Sequence, residues 1–321
     1  RPPPAEGGTR DAQEGWRAWA RDIGFAVLIM AVILGAIYAY TGVWPPLVVV
    51  ESASMQHSDS ESYLGVIDTG DLVFVQAAPA RTDVVTYVQG RATGYTTYGD
   101  YGDVIVFRLF NQPQDTPIIH RAIMYVIPNG TCGPACADVP ELALLSSADW
   151  GGVTRTGQPT HTPYGLESLW ILDVGYRHLN VTFDFSRLAG HFSRGPGYLT
   201  MGDHNAPVFD SSWFPIQSDI IGHARGEIPW FGLIKLLLSP ASTCCQGWGD
   251  PRAPGNSWTD LALSLAFLVA LPFILEAAGW AWGKYAWPRI RPWLRRSPEP
   301  EKPAPATPDR PETEDRDAPK G

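Results

Sequence analysis

Long apolar blocks mark the two ends of the chain, and short ones fill its middle. Residues 23–41 run for 19 positions without a charge, close to the roughly 20 that an α-helix needs to cross a hydrocarbon core. Residues 261–283 form a second apolar block of 23, interrupted only by Pro272 and Glu276. Each predicts a transmembrane helix. A cleaved signal peptide is the alternative for the first, but its apolar run is longer than the usual h-region and no clean small-x-small site precedes Val43-Trp44-Pro45-Pro46. A retained anchor over residues 23–43 is therefore expected, with Tyr40 and Trp44 at the outer interface.

From residue 47 to about 238 the apolar runs shorten and become rich in Val, Ile, Phe and Tyr. They lie at 72–75, 84–88, 104–107, 118–127, 170–174, 181–185, 198–201 and 220–228, separated by Gly, Pro, Asp and Asn. This pattern predicts short strands joined by turns, with no helical pattern between them. The expected fold class is mainly β: an antiparallel β domain over residues 44–240, tethered by one N-terminal and one C-terminal transmembrane helix. Residues 229–238 read either as a segment resting against the bilayer or as a buried strand and loop.

Charge adds orientation. Lys284, Arg289, Arg291, Arg295 and Arg296 follow the second block at once, and basic residues crowded at one end of a span mark the cytoplasmic side. Two spans then put residues 1–22 and 284–321 in the cytoplasm and the β domain outside a cell membrane. The second span is expected over 259–283 after a linker at 241–258, and the Pro-rich tail from 297 onward is expected to be disordered. The net charge of −9, with 20 Asp and Glu against 10 Lys and Arg between residues 51 and 250, excludes a nucleic-acid surface.

Candidate chemistry sits in three stretches: Glu51-Ser52-Ala53-Ser54-Met55, Ile119-His120-Arg121, and Gly202-Asp203-His204-Asn205 with Asp210 beyond it. Singly, these read as a solvated turn, a core histidine and another turn. Together, serine, histidine and aspartate are the parts of a general-base-activated acyl-transfer site. On this reading Ser54 attacks a carbonyl, His120 takes its proton, and Asp203 or Asp210 orients the imidazole. His204 is a competing base. No cofactor and no metal are called for, because Cys132 and Cys136 have no second ligand pair nearby and Cys244-Cys245 lie far along the chain. On the outer face of a membrane Cys132 and Cys136 are close enough in sequence to close a small disulfide loop, and the sequence leaves their state, like that of Cys244 and Cys245, open.

The same residues carry a resemblance to signal peptidase I of the archaeal and endoplasmic-reticulum type, in which a His-Arg box replaces the lysine of the bacterial enzymes. Beside Ser52-Ala53-Ser54-Met55, Ile119-His120-Arg121 and Gly202-Asp203-His204-Asn205, the matching boxes are Gly70-Asp71-Leu72-Val73, Gly102-Asp103-Val104-Ile105-Val106-Phe107, and Gly222-His223-Ala224-Arg225-Gly226 running into Pro229-Trp230-Phe231-Gly232. The resemblance implies a serine endopeptidase that removes signal peptides from secretory preproteins after a small-x-small site. It implies Ser54 as nucleophile, Ser52 assisting an oxyanion hole, Asp210 orienting His120 and Asp203 supporting the surrounding loop. It extends to partners as far as preproteins and the bilayer.

The chain departs from the family at His57, where proline is usual, at His204, where a second asparagine is usual, and in the seven-residue step from Asp203 to Asp210. Residues 128–196 form a long insertion between the histidine and Gly-Asp boxes, carrying two N-x-T patterns at Asn129 and Asn180. A second function class, an inactive membrane-tethered β binding module descended from a peptidase, is disfavoured because Ser54, His120 and both aspartates are all present.

Overall fold

The computed structural model describes residues 8–112, 115–239 and 244–287. The basic positions from Arg289 onward and the Pro-rich tail lie outside the described residues. The chain divides into two units, Arg1–Leu263 and Ser264–Gly321.

The first unit is built on antiparallel strands: β1 (Leu47–Val49), β2 (Leu72–Ala77), β3 (Thr96–Thr97), β4 (Asp100–Tyr101), β5 (Val104–Phe107), β6 (Ile118–Pro128), β7 (Ala137–Asp138), β8 (Trp150–Thr154), β9 (Pro159–Thr160), β10 (Leu166–Val174), β11 (Leu179–Asp184), β12 (Gly197–Met201) and β13 (Ile220–Ile228). One sheet runs β1-β2-β13-β5-β6-β7-β10-β8-β9, with β12 added to β6 and β11 to β10, while β3 and β4 make a separate ribbon. The model is thus mainly antiparallel β, with one long apolar helix near each end.

Burial explains why these runs are strands. All four residues of β5 are buried, as expected of a Val-Ile-Val-Phe run in the middle of a sheet with both faces covered. In β2 buried and half-buried positions alternate, the period-2 sign of one face turned to a core. Val50, Met55, Ile67, Val73, Val75, Val104, Val106 and Ile119 pack into one apolar cluster, where each fully buried side chain contributes roughly 1.5–3 kcal/mol. A second, larger cluster gathers Ile123, Met124, Leu169, Ile171, Phe183, Phe185, Leu199 and Phe214 from β6, β10, β11, β12 and the segments beside them. Residues 128–196 supply β7 to β11 and much of that second core.

Two helices correct the strand-only expectation. Helix α2 (Tyr87–Thr93) lies where residues 84–88 read as a strand. Thr86 and Gln89 form a capping box: the Thr86 hydroxyl accepts from the Gln89 N–H at 3.3 Å, and Gln89 Oε1 accepts from the Thr86 N–H at 3.1 Å. Gly94 ends the helix in the left-handed conformation at φ 80°. Local capping therefore overrides the β-branched composition. Helix α3 (Gly232–Leu238) replaces the buried strand and loop read at 229–238, with Leu233 and Leu236 buried beside Cys244, Cys245, Trp258 and Leu261.

Helix α1 (Gly8–Thr41) is apolar enough to span from Trp19 to Thr41, and the described side chains there are almost all exposed. It stops where the Thr41 hydroxyl donates back to the Ile37 carbonyl at 2.9 Å and Gly42 turns at φ 68°. Helix α4 (Gly255–Ala281) carries Pro272 inside it and continues as a π-turn over Trp282–Ala286, and the stretch Gly255–Ala286 is likewise long and apolar enough to span. Both stretches are long and apolar enough to cross a membrane, and such exposed apolar surface suits a lipid solvent.

Cys132 and Cys136 are free thiols, not the small disulfide loop that their spacing allows. The Cys132 thiol donates to the Asn129 carbonyl at 3.4 Å, and burial together with Cys132 pushes the Cys136 thiol up to about 12. The bonded pair is Cys244–Cys245.

Candidate active site

Strand β1 delivers the chain to Val50, whose N–H and C=O pair with Asp71 O at 3.0 Å and Gly70 N at 2.9 Å. Ser52 is extended, at φ −137° and ψ 157°, and Ala53–Met55 then make one tight 3₁₀ turn. Met55, 1% exposed, plugs the turn into the apolar cluster under β2 and β5. With its neighbour so anchored, Ser54 faces a cleft of about 380 Å³ lined by Val49, Ser52, Ile119, His120, Asp210 and Trp213 among others.

His120 and Arg121 are adjacent on β6, so their side chains leave opposite faces of the sheet. His120, paired across the ladder with Ile105, turns toward the cleft, and its Nε2 lies 2.9 Å from Ser54 Oγ. Its Nδ1 lies 2.6 Å from Asp210 Oδ2. Asp210 is fixed in turn by β12: its N–H donates to the Thr200 carbonyl at 3.0 Å, and the Thr200 hydroxyl donates to Oδ2 at 2.7 Å. Ser52 Oγ stands 3.2 Å from Ser54 Oγ.

Arg121, buried on the other face, reaches Asp203. Its Nε donates to Oδ1 at 2.8 Å and its Nη2 to Oδ2 at 2.6 Å, the bidentate geometry that holds a buried pair best. Its Nη1 also donates to the carbonyls of Thr97, Asp100, Tyr101 and Gly102. Burial alone would raise the Asp203 carboxyl, but the Arg121 charge and hydrogen bonds outweigh it and hold the group below the usual carboxylate range. Asp203 and Asp210 thus have separate surroundings, divided by the turn Asp203–Asn205 and the chain after it.

The turn bearing Asp203 touches the Ser54 turn directly. A side-chain carbon at Gly202 would fall 2.4 Å from the Ser54 carbonyl oxygen, so only glycine allows this approach. His204 points elsewhere: its Nδ1 lies 3.2 Å from the Gln56 carbonyl and its Nε2 3.9 Å from Asp59 Oδ1. His57 Nε2 sits 3.1 Å from Asp203 Oδ2, and its ring stacks on Tyr176 with centroids 3.9 Å apart. No sequence signal singled out Tyr176, which comes from the insertion 119 positions after His57.

A second buried carboxylate lies in the Gly-Asp box before β5. Burial raises Asp103, but hydrogen bonds from His223, Arg225 and the Val85 N–H together bring it down to about 2. Its position ties β13 to the start of β5. Among the described residues, no group of three or more His, Cys, Asp and Glu side chains is gathered as for a metal ion.

The chain is 26% identical over 200 residues to the signal peptidase complex catalytic subunit SEC11 of Ajellomyces dermatitidis, an alignment covering 62% of this chain and 69% of that protein. No family model matches the chain, and no solved structure matches it. The likeness supports a signal-peptidase-I-like family for this protein.

Proposed function

We propose that the chain is a membrane-bound serine endopeptidase that removes signal peptides from secretory preproteins after a small-x-small site. The observation carrying this reading is the unbroken run of hydrogen-bonding contacts from Ser54 Oγ through His120 to Asp210 Oδ2 along one cleft. The likeness to a signal peptidase catalytic subunit supports the substrate class.

Ser54 attacks the scissile carbonyl while neutral His120 accepts its proton at Nε2. Asp210 holds the Nδ1–H tautomer and stabilises the imidazolium that forms. His120 then returns the proton to the leaving amine, and water, activated by the same imidazole, hydrolyses the acyl-serine. The Ser52 hydroxyl and the Ser54 N–H supply the oxyanion hole, where one donor is worth roughly 2.7–4 kcal/mol of barrier. Arg121 and Asp203 brace the turn beside the nucleophile. The β domain lies outside the membrane and both termini lie in the cytoplasm. Tethering at both ends confines enzyme and preprotein to one plane and raises their effective concentration.

The test is to incubate the full chain, purified in detergent, with a preprotein and to determine the N-terminus of the product. Cleavage after the small-x-small site is expected. A preprotein left intact, or cut elsewhere, contradicts the reading.

A further inference from the structure

The hairpin that joins β10 to β11 ends in Gly175-Tyr176-Arg177-His178, closed by the His178 N–H donating to the Gly175 carbonyl at 2.9 Å. Helix α2 grips its base. The Tyr87 hydroxyl donates to the Asp173 carbonyl at 3.3 Å and accepts from the Gly175 N–H at 3.2 Å, and Arg91 Nη1 donates to the Leu172 carbonyl at 2.6 Å. Tyr87 is almost wholly buried, so the base of this tip is held by the core.

Two side chains extend from the tip to two different loops. Tyr176 stacks on His57 at an interplanar angle of 11°, and its hydroxyl donates to the Gln56 carbonyl at 3.4 Å. Arg177 Nη2 donates to the His204 carbonyl and, at 2.8 Å, to the Ala206 carbonyl. The first loop follows Ser54 by two residues, and the second leads from Asp203 into Asp210. Ser54 and Asp210 must both meet His120 at once, so a shift of either loop breaks one of its two contacts.

We propose that Tyr176 and Arg177 are positioning residues: the insertion's hairpin tip clamps the Ser54 loop to the loop leading into Asp210, and so preorganises the Ser54–His120–Asp210 run. The proposal rests on the peptidase reading above. Neither residue touches the reacting atoms. Their effect is on the fraction of molecules in productive geometry, which appears in kcat rather than in substrate affinity.

The experiment compares Arg177→Ala, Arg177→Lys, Tyr176→Ala and, as a control in the same insertion, Arg155→Ala, whose side chain donates to the Cys132 carbonyl. Preprotein cleavage kinetics and amide hydrogen exchange are measured on the full chain in detergent. Arg177→Ala and Tyr176→Ala are expected to lower kcat by about 10- to 100-fold with KM changed less than about twofold. Exchange should rise in peptides covering 53–57 and 203–210 and stay unchanged in β5 and β6. Both carbonyl contacts come from one nitrogen of Arg177, so a lysine ammonium can replace them, and Arg177→Lys should recover most of both readouts. Arg155→Ala should change neither.

Wild-type kcat with unchanged exchange in Arg177→Ala and Tyr176→Ala overturns the proposal. So does exchange rising throughout the domain, which would make the tip a general support of the fold. If the wild-type chain leaves preprotein intact, the peptidase reading fails, and the exchange arm still decides whether the tip clamps the two loops.

Discussion

Asp203 and Asp210 lie seven positions apart, and the proposal gives them different work. Asp210→Asn keeps the shape but loses the carboxylate that holds His120, and a change of this kind costs roughly 10⁴-fold in kcat where the triad has been dissected. Its fold should stay intact by thermal unfolding. Asp203→Ala leaves the buried Arg121 guanidinium without its counter-charge, a loss of roughly 3–5 kcal/mol in unfolding free energy. The pH sign follows from the lowered pKa of Asp203. Its contribution is fully present above the unfolded carboxylate value near 3.9 and disappears as pH falls through the folded value. Denaturant titrations should therefore show wild type and Asp203→Ala converging in acid. Equal stability of the two proteins at pH 7 would contradict the bracing role. The residues by themselves left the choice between the two aspartates open, with only the family resemblance favouring Asp210, because it depends on the path the chain takes from Gly202 to Asp210 and on which face of β6 each aspartate meets.

Among the elements, Asp71, one residue before β2, ties the start of that strand to the start of α3. Its Oδ1 accepts from the Trp230 N–H before α3 at 2.8 Å, and its Oδ2 accepts from the Asp68 N–H in the turn before β2 at 2.7 Å. Burial is the main cause that raises its carboxyl to about 7, although both hydrogen bonds oppose it. A group raised in the folded state stabilises below its unfolded pKa, and that stability is lost as pH rises toward the folded value. Between about pH 4 and pH 7 each such group lowers stability by at most about 1.4 kcal/mol per pH unit. Asp71→Asn should flatten part of this slope in urea unfolding, and an identical slope in the variant would remove Asp71 as its source. Elements were legible to different degrees. β5 and β13 could be read from their apolar runs between Gly and Asp residues. α2 was hidden because Val84, Val85 and Val88 favour a strand, while the Thr86–Gln89 capping box decided for helix. α3 was hidden because Gly232 to Leu238 is nearly all apolar, and a short apolar run has no period to read.

At the scale of the molecule, the two apolar helices and the mainly antiparallel sheet were visible in the block lengths of the sequence. Contacts that complete the candidate site were less so, since Tyr176 and Arg177 reach their loops only because 128–196 folds into a hairpin held by α2. Orientation is an outcome for experiment. On the proposed orientation, protease added outside intact cells or right-side-out vesicles should digest residues 44–240 and spare the Pro-rich tail. Loss of the tail alone would reverse the orientation. The claim on which the rest depends is that Ser54 makes the acyl bond. Ser54→Ala, removing one half-buried hydroxyl, is expected to abolish preprotein cleavage by the purified full chain while leaving its thermal unfolding unchanged. Processing by a folded Ser54→Ala protein at the wild-type rate would contradict the account.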